Sequence, residues 1–376
     1  MINDEFCHSS FIIYHLSLKK KNNILKKLDY IIVGQGLAGT LLAYTLLKAG
    51  QKLMMIDKDA EMTASKVAAG VINPVTGRRI VKSWRVEALL PAAKSIYQAI
   101  EQTFDISIFL PTTICKAIRT VEEENEWLLR SGYPAYQSYC APTSDTSCFK
   151  NKINDFHAYG TILQAAQVNV PKLILFFKNY FSKNGILLKE VFDCDHLEIL
   201  ENEVCYRGTW KASKIIFCEG AGGIKNPFFA YLPFNLDKGE CLTIKIPNAH
   251  FDMIFKNHLS IVPLDLSQNL YWVGATNEWK FAHPYPTDIQ KQGIIDELKT
   301  ILTVPFEIVA HQAAVRPTVK DRRPFIGFHP KLPVLGIFNG FGTKGASLIP
   351  FWAEHFKNVL LQKESLDAEV DIQRFH

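Results

Sequence analysis

A chain of 376 residues has room for two domains at roughly 100–200 residues each. With 48% hydrophobic and 12% aromatic residues it is too rich in core-forming side chains to be disordered. A formal net charge of +5 does not by itself demand a polyanionic partner. No apolar run reaches the ~18 residues that cross a bilayer; Ile174–Phe177, for example, is followed at once by Lys178 and Asn179.

The first segment, Met1–Ser17, carries Asp4 and Glu5 where a secretion signal needs positive charge, and it lacks a small-residue cleavage site. Residues 1–27 therefore read as an extension, with Lys19, Lys20, Lys21, Lys26 and Lys27 as a solvated basic run. The eight cysteines form no C-x-x-C pair. Without a secretion signal they read as reduced thiols of a cytoplasmic protein. No His, Cys and carboxylate residues recur at metal-ligand spacing, so no metal is expected.

Asp29-Tyr30-Ile31-Ile32-Val33 has the length and β-branched content of a buried parallel strand. It runs into Gly34-Gln35-Gly36-Leu37-Ala38-Gly39, then a helical stretch with Ala38, Leu41, Leu42 and Leu46 on one face, closed by Gly50. A second strand, Lys52–Ile56, ends in Asp57. Gly34 permits the tight turn, Gly36 lets backbone approach a pyrophosphate, and Gly39 lets helix pack on strand. The helix N-terminus would hold the phosphates, near Leu37 and Ala38, and Asp57 would accept from ribose hydroxyls. Strand, turn, helix, strand and acid in order within ~30 residues predict a dinucleotide site.

Ala64-Ser65-Lys66-Val67-Ala68-Ala69-Gly70-Val71-Ile72-Asn73-Pro74 is poor in bulky side chains and suits backbone lying against a planar ligand, which singles out Ser65, Ala69 and Gly70. Val81–Glu101 reads helical, as does Leu163–Lys183 before Gly185, and a short strand then ends near Phe192. Cys241–Ile246, His258–Pro263 and Asn269–Ala275 read as strands. Near the end, the strand Val334–Phe338 leads into Gly340-Phe341-Gly342-Thr343-Lys344-Gly345 and a helix from about Ala346 to Leu361. No further strand follows in this sequence, so a second dinucleotide domain is not expected. This turn could instead aim N–H groups at the pyrimidine edge of a flavin.

These segments, together with Asn169-Val170-Pro171, Phe217-Cys218-Glu219-Gly220-Ala221 and Val315-Arg316-Pro317-Thr318-Val319-Lys320-Asp321, resemble the D-amino-acid oxidase-like FAD-dependent oxidoreductases, glycine oxidases among them. The resemblance runs from Asp29 to about Ala353. Within that family the chain is similar to the FAD-dependent half of the bifunctional enzymes of 5-methylaminomethyl-2-thiouridine synthesis in tRNA. The likeness lies in Gly342-Thr343-Lys344-Gly345 and Ala69-Gly70-Val71-Ile72-Asn73-Pro74; the methyltransferase half has no counterpart. The resemblance implies an α/β fold with a discontinuous Rossmann-like FAD domain over 28–80, 150–225 and 310–376. A mostly antiparallel substrate domain would occupy 81–149 and 226–309. It also implies Phe192 backbone beside the adenine, Gly220 at the cofactor, and FAD as the cofactor throughout.

The implied chemistry is oxidation of a carbon–nitrogen bond by hydride transfer to the flavin N5, in an amino acid or N-substituted glycine. The resemblance implies Arg316 as the carboxylate ligand, since it stands at the arginine of the family's Arg-Pro-x-x-x-Asp pattern, and a guanidinium fork matches a carboxylate bidentately; a salt bridge to Asp321 is the structural alternative. Lys344 is a further candidate, beside the flavin or at the substrate entrance. Glycine oxidase's second carboxylate-contacting arginine aligns with Thr343 here, which argues against simple glycine as substrate. Arg78, Arg79 and Lys82 form a basic group that is either solvated surface or an attractor of an anionic substrate. Tyr231, Tyr271 and Tyr285 are candidates for a substrate contact. Two other functions fit the sequence: oxidative removal of a carboxymethyl group from a tRNA wobble uridine, and a non-catalytic flavoprotein. The expected partners are a small amine bearing a carboxylate or, on the second reading, tRNA; neither DNA nor membrane is expected.

Overall fold

The structure is a computed structural model that describes residues 25–77 and 79–375. Most of the expected extension, with Cys7, Lys19, Lys20 and Lys21, lies outside the described residues, as does Arg78. Lys26 and Lys27 are not tail: the first strand is Lys26–Val33, and both lysines pair with the strand Trp210–Phe217.

Two sheets organise the chain. The first has eight strands, and its parallel centre runs Leu335–Asn339, Trp210–Phe217, Lys26–Val33, Leu53–Asp57, Leu187–Lys189. Alternate residues of the first strand enter different cores, as expected of a strand covered on both faces. Tyr30 and Ile32 pack among the helices Leu37–Lys48, Val170–Lys183 and Gly345–Leu360. Ile31 and Val33 pack against Phe217, Phe229 and Leu232 on the other side. This is the Rossmann-like α/β architecture the sequence implies.

The second sheet has nine strands in the order Glu307–Arg316, Asp237–Lys245, Leu270–Gly274, Ser260–Asp265, Ile254–Lys256, Phe109–Ile118, Ala158–Val168, Val71–Ile72, with Cys140–Ala141 also paired to Ala158–Val168. It is antiparallel except where Ile254–Lys256 runs alongside Phe109–Ile118. Its far face carries Leu242, Ile244, Phe255, Ile261 and Tyr271 into a core with the helix Asp288–Ile301. The near face turns toward the chain from Ala64 to Val86. There Cys241 and Ala314 meet Val67, and Ile114, Ile162, Ile254 and Val262 meet Val75, Ile80 and Val86.

Three expectations change. Residues 163–168 are strand, and the helix starts at Val170, capped by the Asn169 side chain accepting from the Lys172 N–H at 3.0 Å. The apolar run before Asn169 fits either period, and pairing to Phe109–Ile118 decides it. The helix expected over 81–101 is Val86–Phe104, because Val81–Lys82 pairs back on Val75–Thr76 in a small hairpin. The chain also changes sheets at other points than the resemblance implies. Ala158–Val168 and Glu307–Arg316 belong to the second sheet, whereas Val86–Phe104 buries Leu89, Ala93, Ile96, Tyr97 and Ile100 in the core of the first. Among the described residues no helix is long and apolar enough to cross a membrane.

Candidate active site

The strand Lys26–Val33 delivers its last residue to Gly34, whose φ of +104° is open to glycine but strained for other residues. A Cβ on Gly34 would stand 2.5 Å from the Cys218 carbonyl oxygen, and one on Gly39 would collide with the Gly34 carbonyl. The helix Leu37–Lys48 can sit this close to the sheet only with glycine at both positions. Its first intrahelical bond joins the Thr40 N–H to the Gly36 carbonyl, and it has neither a side-chain cap bond nor an acid in its first turn. The N–H groups of Gly36, Ala38 and Gly39 are thus left at the positive end of the dipole. Ser65 leans over this mouth and accepts from the Leu37 N–H at 2.9 Å. Asp57 holds the turn in shape, accepting from the Gln35 N–H at 2.7 Å and the Asp59 N–H at 2.6 Å.

Two more loops border the cradle. The Asn339 amide donates to the Gly220 carbonyl at 2.9 Å, and its oxygen accepts from the Gly340 N–H at 2.8 Å, so one buried side chain ties them together. Gly220, Gly340 and Gly342 all have positive φ, and a Cβ on Gly340 would meet Val319 Cγ2 at 2.7 Å. Beside Gly342, Thr318 Oγ1 is buried with no hydrogen-bond partner, the kind of orphan a bound polar group satisfies. Glu219 is held by the Asn226 amide at 2.7 Å, and burial pushes its carboxyl above the usual range. Phe192 stacks on Tyr206, edge-on to Phe217, at the end of the first sheet. The glycine cradle, the outward N–H groups and the orphaned Thr318 hydroxyl fit FAD. Gly34, Gly36, Leu37, Ala38, Gly39, Asp57 and Ser65 would hold its diphosphate and ribose, and Gly70, Gly220, Gly340, Gly342 and Gly345 would border the rest of it.

Lys344 lies in the short 3₁₀ turn Gly342–Lys344, next to Thr343, at the N-terminus of the helix Gly345–Leu360. Its ammonium donates to Ser83 Oγ at 3.0 Å and Thr76 Oγ1 at 3.2 Å, with no carboxylate partner among the described residues. Burial, and then the nearby Arg322, pull its pKa below the ordinary lysine value. Gly70 backs this region: a Cβ there would strike the Val168 carbonyl, and neighbouring Ala69 is buried in the near-face cluster.

Arg316 ends a strand of the second sheet and projects on the near face over Gly239. Its partner is Asp237, at 2.6 Å from Nη1, not Asp321, which takes Arg374 at 2.9 Å instead. Nη1 also donates to the Thr276 carbonyl at 3.2 Å and Asn277 Oδ1 at 2.9 Å, and Nη2 shares the Thr276 carbonyl at 3.2 Å. The Nε–Nη2 edge has no further partner among the described residues. Trp272, Cys241 and Ala314 line the same face with Val67, and the Trp272 indole donates to the Val67 carbonyl at 3.1 Å. Burial pushes the Cys241 thiol up to about 12, which removes it as a nucleophile.

The remaining candidates fall elsewhere. Tyr271 is core on the far face, its hydroxyl bonded to Ala249 and Phe251. Tyr231 is exposed against Phe229 and His329, and Tyr285 is exposed beside His283. Lys82 pairs with Glu87, and Arg79 is exposed. Sequence reasoning missed Asp237, Asn339, Thr318, Thr76 and Ser83. Only Thr318 lies in a motif quoted from the sequence, and there it carried no role of its own; each of the five matters through a partner 75 or more residues away or through what it lacks.

Cradle, bordering glycines and guanidinium define an FAD-dependent oxidoreductase. The profile of DAO, the FAD dependent oxidoreductase family, matches residues 29–358, and the chain belongs to that family. Among curated proteins it is similar to glycine oxidase of Geobacillus kaustophilus, 23% identical over 365 residues, covering 90% of this chain and 94% of the relative. The fold is shared with the crystal structure of that organism's glycine oxidase (TM-score 0.75, 20% identity, 93% of this chain and 98% of that one). It is shared also with iminodiacetate oxidase from Chelativorans sp. BNC1 (TM-score 0.76, 16% identity, 92% and 98%).

Proposed function

We propose that this chain oxidises the carbon–nitrogen bond of an amino acid or N-substituted glycine. The observation that carries this reading is the Nε–Nη2 edge of Arg316 on the near face of the second sheet, which has no carboxylate partner among the described residues. That edge is a fork able to take a carboxylate with two parallel hydrogen bonds. Asp237 fixes the other side of the guanidinium, so the fork is oriented before substrate arrives. The names of the relatives, glycine oxidase and iminodiacetate oxidase, are of substrates with an amine beside a carboxylate.

FAD, when bound, supplies the acceptor for the electron pair removed from the substrate. Arg316 anchors the carboxylate, which fixes where the adjacent amine lies. Trp272, Ala314, Cys241 and Val67 form an apolar wall that excludes water from one side of the site. Lys344, tethered by Ser83 and Thr76, places a positive charge at the turn that borders the cofactor ring.

The test is the anaerobic visible spectrum of the yellow holoprotein during addition of glycine, sarcosine, iminodiacetate, proline and D-amino acids, with methylamine as a carboxylate-free control. Bleaching by a carboxylate-bearing amine and not by methylamine is expected. Bleaching by methylamine alone, or by no member of the panel, overturns the reading.

A further inference from the structure

The registers of the second sheet connect into one cross-sheet row. Gln312 pairs with Cys241, Cys241 with Gly274, Gly274 with Ser260, Ser260 with Lys256, Lys256 with Lys116, and Lys116 with Gly160. Side chains of directly paired residues share a face. The row therefore lies on the near face, as Cys241 against Val67 and the flanking Ile114 and Ile254 against Val75 and Ile80 independently require. It puts two lysines side by side, one strand spacing apart, on the surface that also carries Arg316.

Like charges directly across a strand pair are destabilising, and here neither is neutralised. Among the described residues Lys256 Nζ has only Ser260 Oγ, at 3.2 Å, and Lys116 Nζ only the Ala117 carbonyl, at 3.4 Å. Glu123 and Glu126 come from the helix Val121–Gly132, but Glu123 is already held by Arg119 at 3.0 Å. That helix also sets Trp127 over Gly160, where a Cβ would collide with the indole, so the row is walled at this end. Both ammonium groups sit below the ordinary lysine pKa, burial first and mutual repulsion adding for Lys256. Two adjacent cations and a hydroxyl, partly desolvated and without an ion-pair partner among the described residues, match the charge of a dianionic phosphate better than one carboxylate.

We propose that Lys116, Lys256 and Ser260 form a phosphate-binding subsite on the near face of the second sheet. Four strand steps separate Ile254–Lys256 from Glu307–Arg316, roughly 19 Å at about 4.8 Å per step. A single amino acid cannot span that distance. The phosphate belongs to an extended substrate such as an RNA or to a separate small ligand. The subsite stands on sheet register and charge, and does not depend on which amine is oxidised.

The experiment is calorimetric titration of the FAD-loaded full chain with inorganic pyrophosphate and, separately, with a short RNA hairpin. The proteins compared are the unaltered chain, Lys116→Gln with Lys256→Gln, and an equal charge change elsewhere, Lys225→Gln with Lys299→Gln. At least a tenfold loss of affinity in the first variant and none in the second is expected, with the flavin spectrum unchanged in both. RNA bound and displaced by pyrophosphate assigns the phosphate to a polynucleotide; pyrophosphate bound without RNA assigns it to a small ligand. Equal affinity in the two variants, or no binding of either probe to the unaltered chain, overturns the proposal. If the double substitution does not fold, Lys116→Gln and Lys256→Gln singly are each expected to lose at least threefold, and unaltered affinity in both overturns it.

Discussion

The Arg316 guanidinium lies against the backbone of Gly239, in the space that any side chain at that position would need. The strand pairing that sets Asp237 opposite Arg316 places Gly239 two residues on, beneath the same side chain. Gly239→Ala should therefore push the fork out of position while leaving the cradle intact. Loss of a charge-assisted bidentate contact is worth about 1.5–3 kcal/mol, so KM for a carboxylate substrate should rise at least about tenfold. Steady-state kinetics with a parallel FAD titration checks this; an unchanged KM removes Arg316 from the binding step.

Asp237→Asn attacks the same pair from the other side. Asp237 is buried, and stripping one partner from a buried pair costs about 3–5 kcal/mol, less here because Arg316 retains Thr276 and Asn277. The variant should melt several degrees lower and bind carboxylates less well. Arg316→Leu should cost little FAD and abolish the preference for carboxylates over methylamine.

Asp57→Ala removes the acceptor for two N–H groups of the phosphate turn as well as the expected ribose contact. FAD affinity should fall by at least about tenfold, read by flavin fluorescence during dialysis. Gly39→Ala should be more severe and yield colourless protein.

Lys344 gives a pH signature. Its folded pKa is lowered, so folding disfavours the ammonium, and that cost is fully present below the folded value. As pH rises toward 10.5, the unperturbed value, the native state sheds the proton first and the cost is relieved. Lys344→Met should then raise Tm most at neutral pH, with the gain shrinking toward pH 10. A constant gain, or a loss throughout, counts against a strained cation at this turn.

What was legible in the sequence was local. The turn from Gly34 to Gly39 announces itself because strand, glycines, helix and Asp57 are adjacent in the chain and each has one physical job. Of the four strands from Asp237 to Gly274, three were readable from the sequence and the short Ile254–Lys256 was not. Residues 163–168 were misread because a short apolar run fits either period until a partner strand is known. Long-range pairing was invisible for the same reason. Nothing near Arg316 names Asp237, 79 residues earlier, and nothing near Lys116 shows that Lys256 will stand beside it.

One joint has a mechanical consequence. Ala158–Val168 belongs to one sheet and Val170–Lys183 packs on the other, so at this crossing the single residue Asn169 joins the two bodies. That residue is pinned, its N–H bonded to the Ile108 carbonyl and its side chain spent as the helix cap. Such a connection transmits torque and leaves no slack for a hinge. Heating should make both halves fail as one unit, with flavin release and loss of helical circular dichroism superimposed on a single curve.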